Sequence, residues 1–225
     1  ESISTLDRGL ILFAFVLNII VVMLMALRWR VLYQAVESQV SYSKLLKVTF
    51  VSIFFNTILP SIVGGDTYRT LVVSKDGSAS TANLEESFSV IFVDRIMGLV
   101  GLMLLGCAGL ALNKAVVIPS AVTIITITLL IAFVFMLLLS MFNPIYQLLL
   151  ACFRWLPDKH FRRIESILNR IHSNIALYRN RKWLLFESLI ISLIQRLCWL
   201  FAGFVIAESL QLNLTLMVFI MFLPI

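Results

Sequence analysis

The chain has 225 residues, of which 60% are apolar and 13% charged, with a mean hydropathy of +1.00. Soluble domains carry about 25% charged residues and roughly 45–50% apolar ones, so this composition excludes an ordinary soluble core and indicates an all-α polytopic membrane protein. The formal net charge of +6 then bears on topology and on contact with anionic headgroups rather than on nucleic acid.

Gly9 to Leu27 is the first predicted span, followed directly by Arg28-Trp29-Arg30. Two arginines and an indole at a span end read as interface anchors, and basic residues mark the cytoplasmic side. Residues 31–47 form a connector with Glu37, Lys44 and Lys47. The apolar run from Lys47 to Leu59 then breaks in Asn56-Thr-Ile-Leu-Pro60-Ser61-Ile-Val-Gly64-Gly65-Asp66-Thr-Tyr-Arg69. Pro60 removes a backbone donor, and the glycine pair opens turn conformations closed to other residues. At membrane depth the freed backbone groups cannot be satisfied by lipid, so such a break faces protein or a wet cavity. The alternative is a breaker that merely ends a spanning helix at the water surface.

Beyond the break, Asp66 is placed to cap a short helix through Tyr68, Arg69, Leu71 and Val72, and Asp76-Gly77 reads as a turn. Ser78 to Ser87 reads as a second short helix with Glu85 and Glu86 near its end. Val90 to Leu112 is a clear span, with Asp94 and Arg95 one turn inside it. Adjacent residues on a helix diverge by about 100°, so these two charges need separate partners. Asn113-Lys114 connects tightly to the span from Val116 to Met141, and Pro144 to Pro157 suggests an interfacial segment or helix extension.

Residues 158–182 are basic and amphipathic. Phe161, Ile164, Ile167, Leu168, Ile171, Ile175 and Tyr178 recur at helical spacing, opposite Arg162, Arg163, Glu165, Asn169 and Arg170. This pattern reads as a cytoplasmic surface helix on anionic headgroups, or else as a helix packed against the rest of the protein. His160 and His172 lack metal spacing and read as solvated. Leu184 to Ala207 is the last full span, interrupted by Gln195-Arg196. Asn213 opens another apolar run that stops at Leu223-Pro224-Ile225. Residues 1–225 read as one integral membrane domain and as a piece of something longer.

Loop charges add a parity argument. Residues 142–182 are strongly basic and therefore cytoplasmic, which places residues 66–89 on the same side after two spans. The basic 28–47 connector is cytoplasmic by the same rule, so the run at 48–63 must enter and return. The expected architecture is about four full spans with one or two re-entrant broken helices. Glu37-Ser38 and Glu208-Ser209 follow two oppositely oriented spans, and Leu59-Pro60 and Leu223-Pro224 end the two broken runs. That arrangement suggests an inverted repeat of the transporter kind.

Arg196 lies roughly 20 Å into its span at 1.5 Å per residue. A central arginine costs from about 2.5–3.5 kcal/mol on insertion scales to about 10–17 in simulations. It must therefore face the bundle interior, toward Asp94, Asp66, Glu208, backbone carbonyls or a ligand phosphate. Arg69 and Arg95 fall near the glycine pair, where a basic pocket beside exposed amides suits a lipid phosphate. Asp66 competes with an anion there, or pairs with Arg69 three residues on. Asn56 is placed to satisfy freed backbone groups. With no Gly-rich phosphate loop, metal triad or Ser/His/Asp set, the chain reads as a non-enzyme without cofactor or metal.

Asn56-x-x-Leu59-Pro60-Ser61-x-x-Gly64-Gly65-Asp66-x-x-Arg69, with Asp94-Arg95-x-x-Gly98-Leu99, resembles the flippase-like integral membrane family, the membrane region of lysylphosphatidylglycerol synthase. Arg28-Trp29-Arg30 fits the same pattern. The resemblance covers essentially the whole chain and implies translocation of a phospholipid or polyprenyl-phosphate lipid between leaflets of the cell membrane. It assigns Asn56, Pro60, Gly64, Gly65, Asp66, Arg69, Asp94 and Arg95 to the motif, with Ser61 beside them; Arg196 comes from the burial argument alone. The family's second Pro/Gly break, ending in Gly-x-x-Glu, is absent from this stretch, as is a soluble aminoacyltransferase domain. Rival readings are an enzyme of lipid-linked sugar or aminoacyl-lipid metabolism, or a non-transport partner of one. Homo-oligomerisation is left open.

Overall fold

The computed structural model describes residues 7–58, 62–74, 83–112, 120–140, 147 and 158–212. All the regular structure among them is helical, as the composition required. Helix α1 (Arg8–Ala35) starts at Asp7, whose carboxylate accepts from the backbone N–H of Gly9 at 2.8 Å and of Leu10 at 3.4 Å. It ends where Glu37 takes a positive φ of 59°. At 28 residues it is about 42 Å long, ample for a hydrocarbon slab about 30 Å thick. Its outward face is apolar, with Leu12 and Phe15 each more than 60% exposed. Such a face is unfavourable in water and solvated in a bilayer.

The predicted end of the first span at Leu27 falls short. Helix α1 continues for two more turns, and Arg28 and Trp29 are buried within the protein while Arg30 stays exposed. They are interior residues rather than interface anchors, because Arg28 finds a carboxylate on a distant helix.

Helices α2 (Tyr42–Ile58) and α3 (Ile62–Ser74) pack side by side. Asn56 meets Gly65 and Ser52 meets Arg69, so the two run antiparallel as a hairpin. The glycine pair lies inside α3 rather than in a turn before it, and Asp66 sits in the body of that helix instead of capping its start. Gly65 has a packing role: a Cβ there would lie 2.3 Å from Asn56 Oδ1 and 2.7 Å from the Ser52 carbonyl oxygen. Its missing side chain lets the helices approach. Pro60 and Ser61 lie outside the described residues, as do the Asp76-Gly77 turn, the Asn113-Lys114 connection, nearly all of the 142–157 segment and the broken run after Asn213.

Helix α4 (Leu84–Leu112) is the central strut, touching α1, α3, α5 (Ser120–Ser140), α6 (Asp158–Asn180) and α7 (Lys182–Ser209). Glu85 and Glu86 open this helix instead of closing a short one before it. Glu86 reaches back to accept from the Asn83 backbone N–H at 3.0 Å and from its side-chain amide at 3.3 Å, the reciprocal half of a capping box. Asp94 and Arg95 therefore sit three turns in, not one.

Helices α1 and α7 lie antiparallel along their length. Phe13 and Phe201 stack edge to face at one end, with ring centroids 6.2 Å apart. At the other end Arg181 donates to the Gln34 carbonyl at 2.5 Å. Helix α6 is amphipathic over the range expected, yet it does not lie free on a surface. Ile175 and Tyr178 are fully enclosed in the core with Trp29, Leu32 and Tyr33 of α1, and Tyr178 donates its hydroxyl to the Leu32 carbonyl at 2.9 Å. His172 is partly buried rather than solvated. Among the described residues, three helices are long and apolar enough to cross a membrane: α1, α4 and α7.

Candidate functional site

Two ion pairs organise the place where α1, α3, α4 and α7 meet. Arg28 donates from Nε to Asp94 Oδ1 at 2.7 Å and from a terminal nitrogen to Ser192 Oγ at 3.0 Å. Both residues of the pair are almost wholly buried. The next residue, about 100° round α4, is Arg95, which grips Asp66 of α3 through both carboxylate oxygens, at 2.8 and 2.7 Å. Asp94 and Arg95 thus do take separate partners, as their divergence on the helix demands. Each pair ties a different helix to α4.

Arg69 is also buried, at 4% exposure. It donates to Ser52 Oγ at 2.6 Å, lies over the Trp29 ring at 4.8 Å from the centroid, and comes no nearer than 3.8 Å to Asp66. The ring face and the hydroxyl substitute for part of a guanidinium's hydration, but the Asp66 carboxylate belongs chiefly to Arg95. Arg196, half-buried on α7, has a buried Nε without a hydrogen-bond partner and no ion pair among the described residues. Glu208, a candidate counter-charge, is exposed and roughly 18 Å further along α7. It does not belong to this site.

These charges line a cavity of about 480 Å³, with Arg28, Arg69, Asp94, Arg95, Gln195 and Arg196 on its polar wall and Val21, Met25, Leu99 and Trp199 on its apolar one. Gly98 also lines it. A Cβ at Gly98 would stand 3.6 Å from one terminal nitrogen of Arg28 and 3.7 Å from one of Arg196. Two guanidinium groups from different helices therefore converge on one point of α4. The cavity lies roughly 15 Å along α4 from Leu84 and roughly 20 Å along α7 from Lys182, well within the apolar helices. A larger cleft of about 640 Å³ sits at the α1–α2 turn, between Arg30, Glu37, Ser41 and Arg181. Its Glu37 and Arg181 are paired with each other, which leaves Arg30 as its one unmatched lining charge among the described residues.

Of the residues singled out from sequence, Arg69, Arg95, Arg196, Asp66 and Asp94 are brought together. Asn56 and Gly65 join α2 to α3 behind them, through the Gly65 N–H donating to Asn56 Oδ1 at 3.0 Å. Gly64 is helical and Pro60 and Ser61 are outside the described residues. The sequence reading missed Arg28, Ser192 and Gln195. Arg28 had one available signal: a buried Asp94 requires a cation, and its neighbour Arg95 points elsewhere.

The fold and site define an integral membrane protein of helices that encloses a strongly basic cavity among its apolar segments. The chain belongs to the lysylphosphatidylglycerol synthase transmembrane-region family, whose model matches residues 1–225. It is 26% identical over 95 residues to UPF0104 membrane protein PH1989 of Pyrococcus horikoshii, covering 42% of this chain and 28% of that protein. It is 37% identical over 59 residues to a UPF0104 membrane protein of Methanothermobacter thermautotrophicus, covering 26% and 17% respectively. The chain thus spans less than a third of the length of these curated relatives. No solved structure matches.

Proposed function

We propose that this domain carries the phosphate-bearing headgroup of a membrane lipid from one leaflet of the cell membrane to the other. The observation that supports the reading is the cavity among apolar helices lined by four guanidinium groups and one carboxylate, Asp94, with Asp66 held by Arg95 beside it. Phosphate oxygens suit the planar fork of arginine, and the lining cations replace the headgroup's hydration while acyl chains remain in lipid. At about 480 Å³ the cavity lies within the range of small-ligand sites, roughly 300–1,000 Å³. That space admits a headgroup and not two acyl chains. The α2–α3 hairpin, entering and leaving on one side, supplies the movable wall. Association with anionic headgroups along α6 belongs to the same proposal, as does the absence of catalysis by this domain.

Proteoliposomes containing the full-length protein, with an anionic fluorescent phospholipid in both leaflets, test it. A membrane-impermeant reductant quenches the outer half at once; transfer between leaflets makes the inner half accessible. Continued quenching beyond the outer half, slowed in Arg69→Gln and Arg196→Gln proteins, is expected. Quenching that stops at half for every lipid tried overturns the proposal.

A further inference from the structure

Resting on that reading, we propose that the cavity is built for a phosphate monoester carrying two negative charges, rather than for a singly charged phosphodiester or a cationic headgroup. The guanidinium groups divide into two kinds. Arg28 and Arg95 are spent on Asp94 and Asp66 through hydrogen bonds of 2.7 to 2.8 Å. Arg69 has a hydroxyl, a ring face and a carboxylate at 3.8 Å that another arginine already grips. Arg196 has no ion pair among the described residues and keeps a buried Nε without an acceptor. Two cations on one wall are therefore left uncompensated, and the convergence of Arg196 and Arg28 on Gly98 holds like charges close together until an anion separates them.

The missing charge is two negatives. A phosphate monoester has a second pKa near 6 and carries about −1.5 to −2 at pH 7, with three oxygens to share among Arg69, Arg196 and the one terminal nitrogen of Arg28 that Asp94 and Ser192 leave over. A phosphodiester supplies one charge and two free oxygens. An ammonium-bearing headgroup would meet one lining carboxylate, Asp94, already held by Arg28; Asp66 beside the cavity is gripped by Arg95. The buried Gln195 adds a carbonyl oxygen with no partner, an acceptor for the proton of the monoester's singly charged form or for a hydroxyl beside it.

The test uses the full-length protein in nanodiscs of phosphatidylcholine, titrated with short-chain phosphatidate, phosphatidylglycerol and lysyl-phosphatidylglycerol, and bound lipid is counted by native mass spectrometry. Phosphatidate is expected to bind at least about tenfold more tightly than phosphatidylglycerol at pH 8, and this preference is expected to shrink at pH 5 as the monoester takes up a proton. Arg196→Gln is expected to reduce the preference to about twofold, Arg196→Lys to retain part of it, and Arg30→Gln to leave it unchanged. Glycerol phosphate distinguishes the sources: weaker binding than phosphatidate assigns the monoester to a lipid, equal binding to a soluble ligand, and either supports the dianion. Equal affinity for phosphatidate and phosphatidylglycerol, tighter binding of the lysyl lipid, or a preference untouched by Arg196→Gln overturns the inference. A dianion preference without leaflet transfer sinks the translocation proposal alone, and transfer without that preference sinks this one alone.

Discussion

Arg28 and Asp94, on helices α1 and α4, close a buried ion pair of 2.7 Å, each side chain no more than 6% exposed. Breaking a buried pair by removing one partner costs about 3–5 kcal/mol, because the survivor stays buried and uncompensated. Asp94→Asn and Arg28→Gln should each lower the unfolding temperature in detergent sharply. The double replacement Arg28→Met/Asp94→Leu should recover part of the loss by trading two charges for packing. Single variants as stable as the parent would show that the pair does not hold α1 to α4.

This pair also marks the limit of what the sequence conveys. The membrane class follows from composition, and the α1, α4 and α7 spans follow from apolar length, since a bilayer tolerates few alternatives to a long helix. In the cluster of Arg69, Arg95 and Arg196 with Asp66 and Asp94, Arg196 was legible because a charge at membrane depth must find a partner, and the others because they fall beside the glycine pair and in the motif. Arg28 was not, since an arginine after a span looks the same whether it snorkels to water or turns inward. Gly65 was read as a turn-maker because glycine signals both turns and close approach, and only the proximity of Asn56 and Ser52 separates the two. The amphipathic period of α6 likewise fixes a helix with two faces, but not whether lipid or protein covers the apolar one.

Gly65 lets α3 lie against α2. Its absent Cβ would stand 2.7 Å from the Ser52 carbonyl oxygen, a backbone atom, and 2.3 Å from Asn56 Oδ1. Gly65→Ala should therefore push the hairpin apart and cost about 1–3 kcal/mol, the usual scale of overpacking. Shortening the nearest obstacle with Asn56→Ala should relieve only part of this, because the Ser52 backbone cannot retreat alone. Thermal unfolding of the two single variants and the double checks it, and a Gly65→Ala protein with unchanged stability would contradict the packing role.

If the hairpin re-enters, both its outer ends lie on one side of the membrane. Ser43, in the first turn of α2, and Ser74, at the end of α3, are suitable reporters. In a background with Cys107, Cys152 and Cys198 replaced by serine, Ser43→Cys and Ser74→Cys should react with an impermeant maleimide from the same face. A cysteine at Asn169 on α6 should react from that face too, because Arg170 pairs with Glu85 at the start of α4 at 3.4 Å. Labelling of Ser43→Cys and Ser74→Cys from opposite faces would mean that the α2–α3 segment crosses.

Gly98 offers a way to separate passage from stability. A methyl group there would lie 3.6 to 3.8 Å from the terminal nitrogens of Arg28 and Arg196, which is ordinary contact, so Gly98→Ala should fold and unfold like the parent. Helix propensity even favours alanine over glycine by about 1 kcal/mol. Gly98→Val places further methyl groups in the space where the two guanidinium forks converge, and there a phosphate oxygen would have to sit. Leaflet transfer should therefore slow modestly in Gly98→Ala and by tenfold or more in Gly98→Val, with both proteins retaining near-parental unfolding temperatures. Stability measurements alone cannot imitate that graded loss, since the obstruction acts on the headgroup and not on the helices. Unimpaired transfer in a well-folded Gly98→Val protein would mean that the lipid does not pass between Arg28 and Arg196.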